Sequence, residues 1–154
     1  MAVKLEKEII DLINGEKTVK VLATTDRDGV PHVVFKGSVS ADGEGNIIYL
    51  ELLESSKTNS NLVNSIWFKK KAAVTVKSED GTSVQIKGTP VRCIITGPVF
   101  EHYYKLISRK IEDADLAAVW VIEPEEVREE TYRVRKTEEE NSHPLLIHLD
   151  RLAK

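Results

Sequence analysis

Residues 18–53 read TVKVLATTDRDGVPHVVFKGSVSADGEGNIIYLELL. Three runs rich in Val, Ile, Leu and Thr, residues 18–25, 31–40 and 47–53, are separated by two turns. The first turn is Asp26-Arg27-Asp28-Gly29; the second is Asp42-Gly43-Glu44-Gly45-Asn46. Short β-rich runs bounded by Asp, Asn and Gly read as strands joined by tight turns. No crossover helix separates them, so an antiparallel meander or barrel fits better than a parallel sheet.

The rest of the chain extends this pattern. Leu5, Ile9, Leu12 and Ile13 fall at helical spacing, and Asn14-Gly15 ends that helix. After the third strand the polar run ESSKTNSN leads into Leu62, Val63 and Ile66, again at helical spacing. Residues 72–77 and 83–96 predict the fourth and fifth strands, with a hairpin turn at Glu79-Asp80-Gly81. Gly88 and Pro90 predict a bulge in the fifth strand. Gly97-Pro98 opens a helix with Val99, Tyr103, Leu106 and Ile107 on one face. Residues 116–122, LAAVWVI, form a sixth strand, apolar on both faces, which predicts burial in a barrel core or against a partner. Glu123-Pro124 is expected to break that strand, residues 131–135 alternate like an edge strand, and residues 144–152 read as a short amphipathic tail. The fold class expected is α+β and mainly antiparallel: six strands in a barrel with short flanking helices.

The chain has 154 residues, 41% of them hydrophobic and 31% charged, which suits one globular domain. Lys and Arg number 22 against 25 Asp and Glu, for a net charge of −3. A general nucleic-acid binder needs a basic surplus to displace counterions, so that class is not expected. No apolar run is long enough to span a membrane, and MAVKLEKEIIDLING does not read as a signal peptide; the cytoplasm is the default compartment. Cys93, the single cysteine, sits in an apolar run and reads as a small buried hydrophobe. His32, His102, His143 and His148 are scattered without metal-ligand spacing, and no metal site is expected. No GxSxG, HExxH or CxxC is present, and no paired carboxylates sit in an apolar frame. No side chain reads as catalytic. Any chemistry would come from a bound cofactor.

Residues 54–62 carry the strongest site signal. Ser55, Ser56, Lys57, Thr58, Asn59, Ser60 and Asn61 are consecutive polar residues between an apolar strand and an apolar helix. Hydroxyls, one cation and free N–H groups at a helix N-terminus suit a phosphate-sized dianion. The same residues are also ordinary helix caps. Lys36 and Gly37 interrupt the second strand, and Gln85 interrupts the fifth; each fits either a ligand contact or a solvent-facing position.

In order and motif the chain resembles the pyridoxamine 5′-phosphate oxidase-like, FMN-binding split β-barrel family. The marks are the N-terminal helix, VKVLATTDRDGVPHVVF, IIYLELL, ESSKTNSNLVNS, AAVTV, SVQIKGTPVRC, GPVFEHYYKLI and AAVWVIEPEEV, across about residues 5–127. The most specific is SKTxxNL, opening a helix after a strand. The resemblance implies a homodimer with FMN at its interface. Ser56, Lys57 and Thr58 would meet the flavin phosphate, with Asn61 and Leu62 lining the same pocket. Phe35, Lys36 and Gly37 would lie beside the ring and ribityl chain, Glu51 and Leu52 at the neighbouring strand end, and Gln85 would reach in, supplied by either chain. Residues 1–136 would form the FMN-binding domain, and residues 137–154 a tail packed on it or on the partner. The arginine cluster and C-terminal Arg-x-His element of the true oxidase are missing, so its substrate does not carry over. The implied function is an FMN-dependent oxidoreductase acting on a small-molecule electron donor or acceptor. An electron carrier and a cofactor-free interaction barrel stay open beside it. Relatives of the fold also bind a deazaflavin or haem.

Overall fold

A computed structural model describes residues 1–144. The elements, in chain order, are α1 (Lys7–Ile13), β1 (Val19–Thr25), β2 (Pro31–Phe35), β3 (Val39–Ala41), β4 (Ile47–Glu51) and α2 (Lys57–Phe68). They continue with β5 (Ala72–Lys77), β6 (Ser83–Ile94), α3 (Pro98–Lys110), β7 (Ala118–Glu129) and α4 (Tyr132–Ser142). All strands belong to one antiparallel sheet in the order β2-β1-β5-β6-β7-β4-β3. The sheet curls into a half-barrel. Its two edge strands, β2 and β3, are joined by Lys36, Gly37 and Ser38 alone. That link stays tied to both sides: Lys36 N donates to Lys20 O at 3.0 Å, and Leu50 N donates to Ser38 O at 3.1 Å.

The architecture agrees with the α+β, antiparallel split barrel, with seven strands in place of six. The second strand expected over residues 31–40 divides at Lys36-Gly37-Ser38, where the chain leaves β1 and crosses to β4. Pro124 does not break the last strand. It lies opposite Gly88, and register shifts at Lys87/Gly88 and Pro90/Arg92 absorb it. A Cβ at position 88 would sit 2.4 Å from the carbonyl oxygen of Glu123, so only glycine allows the two backbones to approach this closely. Residues 132–135 open helix α4, with Thr131 as its N-cap, and do not form an edge strand. The β6–β7 ladder ends where Glu130 N donates to Ser83 O and Ser83 N donates to Thr131 Oγ1. With no further partner strand among the described residues, the segment satisfies its backbone within α4, which carries i,i+3 and i,i+4 pairs between Arg135 and Glu138 and between Lys136 and Glu140.

Two apolar clusters hold the fold. Inside the barrel, Leu22, Tyr49, Val74, Ile86, Trp120 and Ile122 pack together, with Ile13 of α1 and Leu62 of α2 among them. On the outer side of β4 and β7, Ile48, Leu50, Val119 and Val121 are covered by Ile107 of α3, with Phe100 and Tyr103 alongside. This explains why the 116–122 run is apolar on both faces. One face lines the barrel and the other lies under α3, so a partner chain is not needed to cover it. Cys93 is exposed, not buried, because it lies on the part of β6 beyond the second bulge. The amphipathic tail expected at 144–152 lies outside the described residues but for its first position. Among the described residues no helix is long and apolar enough to cross a membrane.

Candidate functional site

The site is built around the first turn of α2. Ser56 is its N-cap: the Oγ accepts from Asn59 N at 3.0 Å, as a capping serine should. The same hydroxyl donates to Glu51 Oε2 at 2.7 Å. Glu51 ends β4 and is almost fully buried. Its carboxylate also accepts from Tyr49 Oη at 2.6 Å and from Leu53 N at 3.0 Å. Burial, followed by this acceptor, pushes the Tyr49 phenol well above its usual range, so it stays a donor.

Three more contacts hold the loop against the barrel. Trp120 Nε1 donates to Asn59 Oδ1 at 2.9 Å, Asn59 Nδ2 donates to Glu54 O at 3.0 Å, and Asn61 Nδ2 donates to Thr24 Oγ1 at 3.0 Å. Lys57 is half-exposed, with Nζ 3.9 Å from Asp26 Oδ2. The Asp26 carboxyl is held below its usual range, first by the backbone N–H of Val30, so it remains anionic beside that lysine. Thr58 Oγ1 is buried and has no hydrogen-bond partner among the described residues. It sits one residue past Lys57, where helix geometry leaves N–H groups without intrahelical acceptors.

The expected site residues fall into four groups. Phe35, Lys36, Gly37, Glu51 and Leu52 border one cavity of about 670 Å³ between the β2–β3 link, the end of β4 and α3. Ser56, Lys57 and Thr58 do not border it; Ser56 is tied to it through its bond to Glu51, while Lys57 reaches toward Asp26 in the β1–β2 turn. Asn61 and Leu62 point into the barrel, 2% and 0% exposed, the first bound to Thr24 and the second in the core. Gln85 is on the sheet face away from the core. Register nevertheless places it on one cross-strand row with Phe35: Phe35, Val21, Thr75, Gln85 and Arg128 are successive partners across five strands. A second, open groove is lined by Leu52, Leu53, Ser55, Ile95, Phe100 and Leu116, so Leu52 and Leu53 separate two depressions.

The cavity residues that were not expected at a site include three with functional side chains, Lys20, Tyr49 and Lys110. For Lys20 the signal was present. It alternates with Leu22 and Thr24 along β1, and that parity faces the barrel interior. Among the described residues, no three His, Cys, Asp or Glu side chains group as metal ligands.

The arrangement suits a phosphate at the α2 turn, and it also sets a cost. Ser56 can serve an anion only by giving up its bond to Glu51, and Glu51 is itself an anion under the same turn. Glu51→Gln is therefore expected to tighten binding of a dianion there about tenfold, which is about 1.4 kcal/mol. A fluorescence titration with FMN checks this. Weaker binding by the Gln variant, in protein of unchanged fold, would show that Glu51 positions the loop more than it repels the ligand.

No family model matches the chain, and no curated protein matches it. Solved structures do. HupZ from Group A Streptococcus superposes with a TM-score of 0.69 at 21% identity, over 83% of this chain and 95% of that one. A protein assigned as a pyridoxamine 5′-phosphate oxidase, from Lactobacillus delbrueckii, gives 0.61 at 25% identity over 81% and 93%. An FMN-binding protein from Syntrophomonas wolfei gives 0.64 at 17% identity over 79% and 82%. HutZ, the heme storage protein from Vibrio cholerae, shares the fold at 0.59 and 14% identity over 82% and 95%. The chain has the split-barrel fold of the pyridoxamine 5′-phosphate oxidase-like, FMN-binding proteins.

Proposed function

We propose that this chain is a flavoprotein that binds FMN between two copies of itself and takes part in oxidation–reduction. The observation that supports it most is Thr58 Oγ1. This buried hydroxyl lacks a partner among the described residues, on a helix turn that also offers N–H groups and a half-exposed lysine, in a fold shared with an FMN-binding protein. Buried polar groups are nearly always paired, so an unpaired one at such a turn fits an acceptor supplied by a ligand. Lys57, Thr58 and the α2 N–H groups would hold the phosphate, with Ser56 joining when it turns from Glu51. Bound flavin supplies the electron-transfer chemistry; the chain fixes its phosphate, shields its ring and limits access to it. Phe35 and Leu52 offer apolar surface for the ring, and Gln85 an amide edge from either copy.

A second copy would meet this chain on the outer face of β2 and β1. Strand β7 is covered by α3, whereas the outer face of β2 and β1 leaves Val33 and Phe35 61% and 77% exposed and Val19 51% exposed. An apolar strip beside a ligand row is suited to closure by a second copy, burying well above about 1,000 Å² in total. Sedimentation should give a dimer at micromolar concentration. A monomer that retains flavin would exclude this arrangement.

The test of the cofactor is the visible spectrum of untagged protein, with mass analysis of what heat releases. Flavin bands and a released mass equal to FMN are expected. A Soret band with released haem would replace this reading with the one that HutZ suggests, and colourless protein with no affinity for FMN would leave a cofactor-free barrel. Rapid reduction of the flavin by a nicotinamide nucleotide would favour an enzyme over a carrier.

A further inference from the structure

We propose that the C-terminal end of α2, with the β1–β2 turn tied to it, docks on an anionic lipid surface. Trp67 and Phe68 would enter the headgroup layer, and Arg27, Lys69 and Lys70 would face the lipid phosphates.

Trp67 and Phe68 are 77% and 69% exposed, and Val63, one helical turn before Trp67 on the same face, is exposed as well. Rings with most of their area in solvent stand out from the surface and do not line a groove. Three lysines follow them, Lys69, Lys70 and Lys71. Lys70 N donates to Ser65 O at 3.0 Å and closes the helix, while its Nζ donates to Asp26 O and Arg27 O, both at 2.8 Å. The β1–β2 turn is thereby fixed beside the helix end, and Arg27 comes to the same surface. Asp26 faces Lys57, and Glu125 pairs with Lys71. Arg27, Lys69 and Lys70 form no ion pair among the described residues, and Asp28 is the carboxylate of the turn left beside them. The chain as a whole carries −3, so this surplus of cations is local. Lys69 is held at φ 52° and ψ 40°, the left-handed region where a helix end ordinarily has glycine.

Cations at a helix C-terminus complement its dipole, which accounts for the lysines but not for the two rings beside them. At the edge of an anionic bilayer, aromatic side chains settle among the headgroups and cations are drawn to the negative leaflet. An acidic protein would satisfy the lysines, yet it would need a pocket fitted to both rings; a bilayer takes them without one. Trp67 lies about 15 Å along the helix axis from Lys57, at about 1.5 Å per residue, so this surface is apart from the candidate phosphate turn. The docking does not depend on flavin.

The full chain, with and without FMN, would be sedimented with vesicles of phosphatidylcholine alone and of phosphatidylcholine mixed with phosphatidylglycerol. It should bind the anionic vesicles about tenfold or more tightly than the neutral ones, and less as salt is raised. Tryptophan emission should shift to the blue on binding, and Trp67 carries that shift because Trp120 is already buried. Replacing both rings, Trp67→Ser with Phe68→Ser, should abolish binding, and Lys69→Glu should weaken it about tenfold. Both rings are exposed, so denaturant unfolding should show the double variant about as stable as the parent. Equal binding to the two kinds of vesicle, binding to neither, or binding that survives the double variant would overturn the proposal. Tight binding of polyglutamate without binding of anionic vesicles would assign the surface to an acidic protein instead. A change from dimer to monomer in the double variant would assign it to a second copy of this chain and equally overturn the proposal.

Discussion

Trp120→Ala should destabilise the protein by about 3–5 kcal/mol, the range for emptying a core of a large aromatic side chain. Trp120 is 1% exposed in the middle of β7 and packs in the barrel cluster. Its indole N–H is also the tie to Asn59 in the α2 turn. The variant therefore loses apolar burial and frees the loop that carries the candidate phosphate site. Against a total stability of about 5–15 kcal/mol for a domain of this kind, the change is large. Trp120→Phe separates the two effects. It keeps most of the packing and loses the bond to Asn59, worth about 1 kcal/mol. Denaturant unfolding of the three proteins measures both differences. A loss below about 1 kcal/mol for the alanine variant would mean that the indole is not the centre of the core.

Lys57→Ala should weaken FMN binding by about one to two powers of ten. A charge-assisted hydrogen bond is worth about 1.5–3 kcal/mol, and every 1.4 kcal/mol is tenfold. The phosphate of FMN is a dianion and the chain is itself negative, so attraction has to be local. The stability cost should be small. The contact of Lys57 with Asp26 is long and half-exposed, and Asp26 keeps its bonds from Asp28 N and Val30 N without it. Lys57→Arg should lose less than Lys57→Ala. Riboflavin, which has no phosphate, is the control: its affinity should change much less than that of FMN. Equal losses for the two flavins would place Lys57 on the ring or the fold, and no change in either would make it a solvated helix-start residue.

The strand order along the chain was legible because period-two alternation and Gly- or Asn-bearing turns are local signals. The α2 turn was legible for the same reason, since a run of hydroxyls and amides before an apolar helical face is a cap whatever else it does. At two places a local signal has two tertiary meanings. The apolar 116–122 run could be covered by a partner or by the same chain, and α3 settles which. The alternation at 131–135 could be strand or helix, and the end of the β6 ladder at Ser83 decides for helix. Asn61 shows a third case. It lies within the polar run, yet a helix turns every residue by about 100°, and this one faces Thr24 inside the barrel.

The amino-acid sequence by itself determined the antiparallel class, the turns, the α2 cap with Lys57 and Thr58, and the absence of a basic surplus, because each depends on neighbours a few residues apart. Only the tertiary structure decided which strands are edges, that α3 covers β7, and that Glu51 holds Ser56 from beneath. It alone brought Lys20, Lys36 and Lys110 to one cavity and set Phe35 and Gln85 on one row. Those relations join residues tens of positions apart, and their register comes from how the sheet curls to bury its core, which no local pattern records.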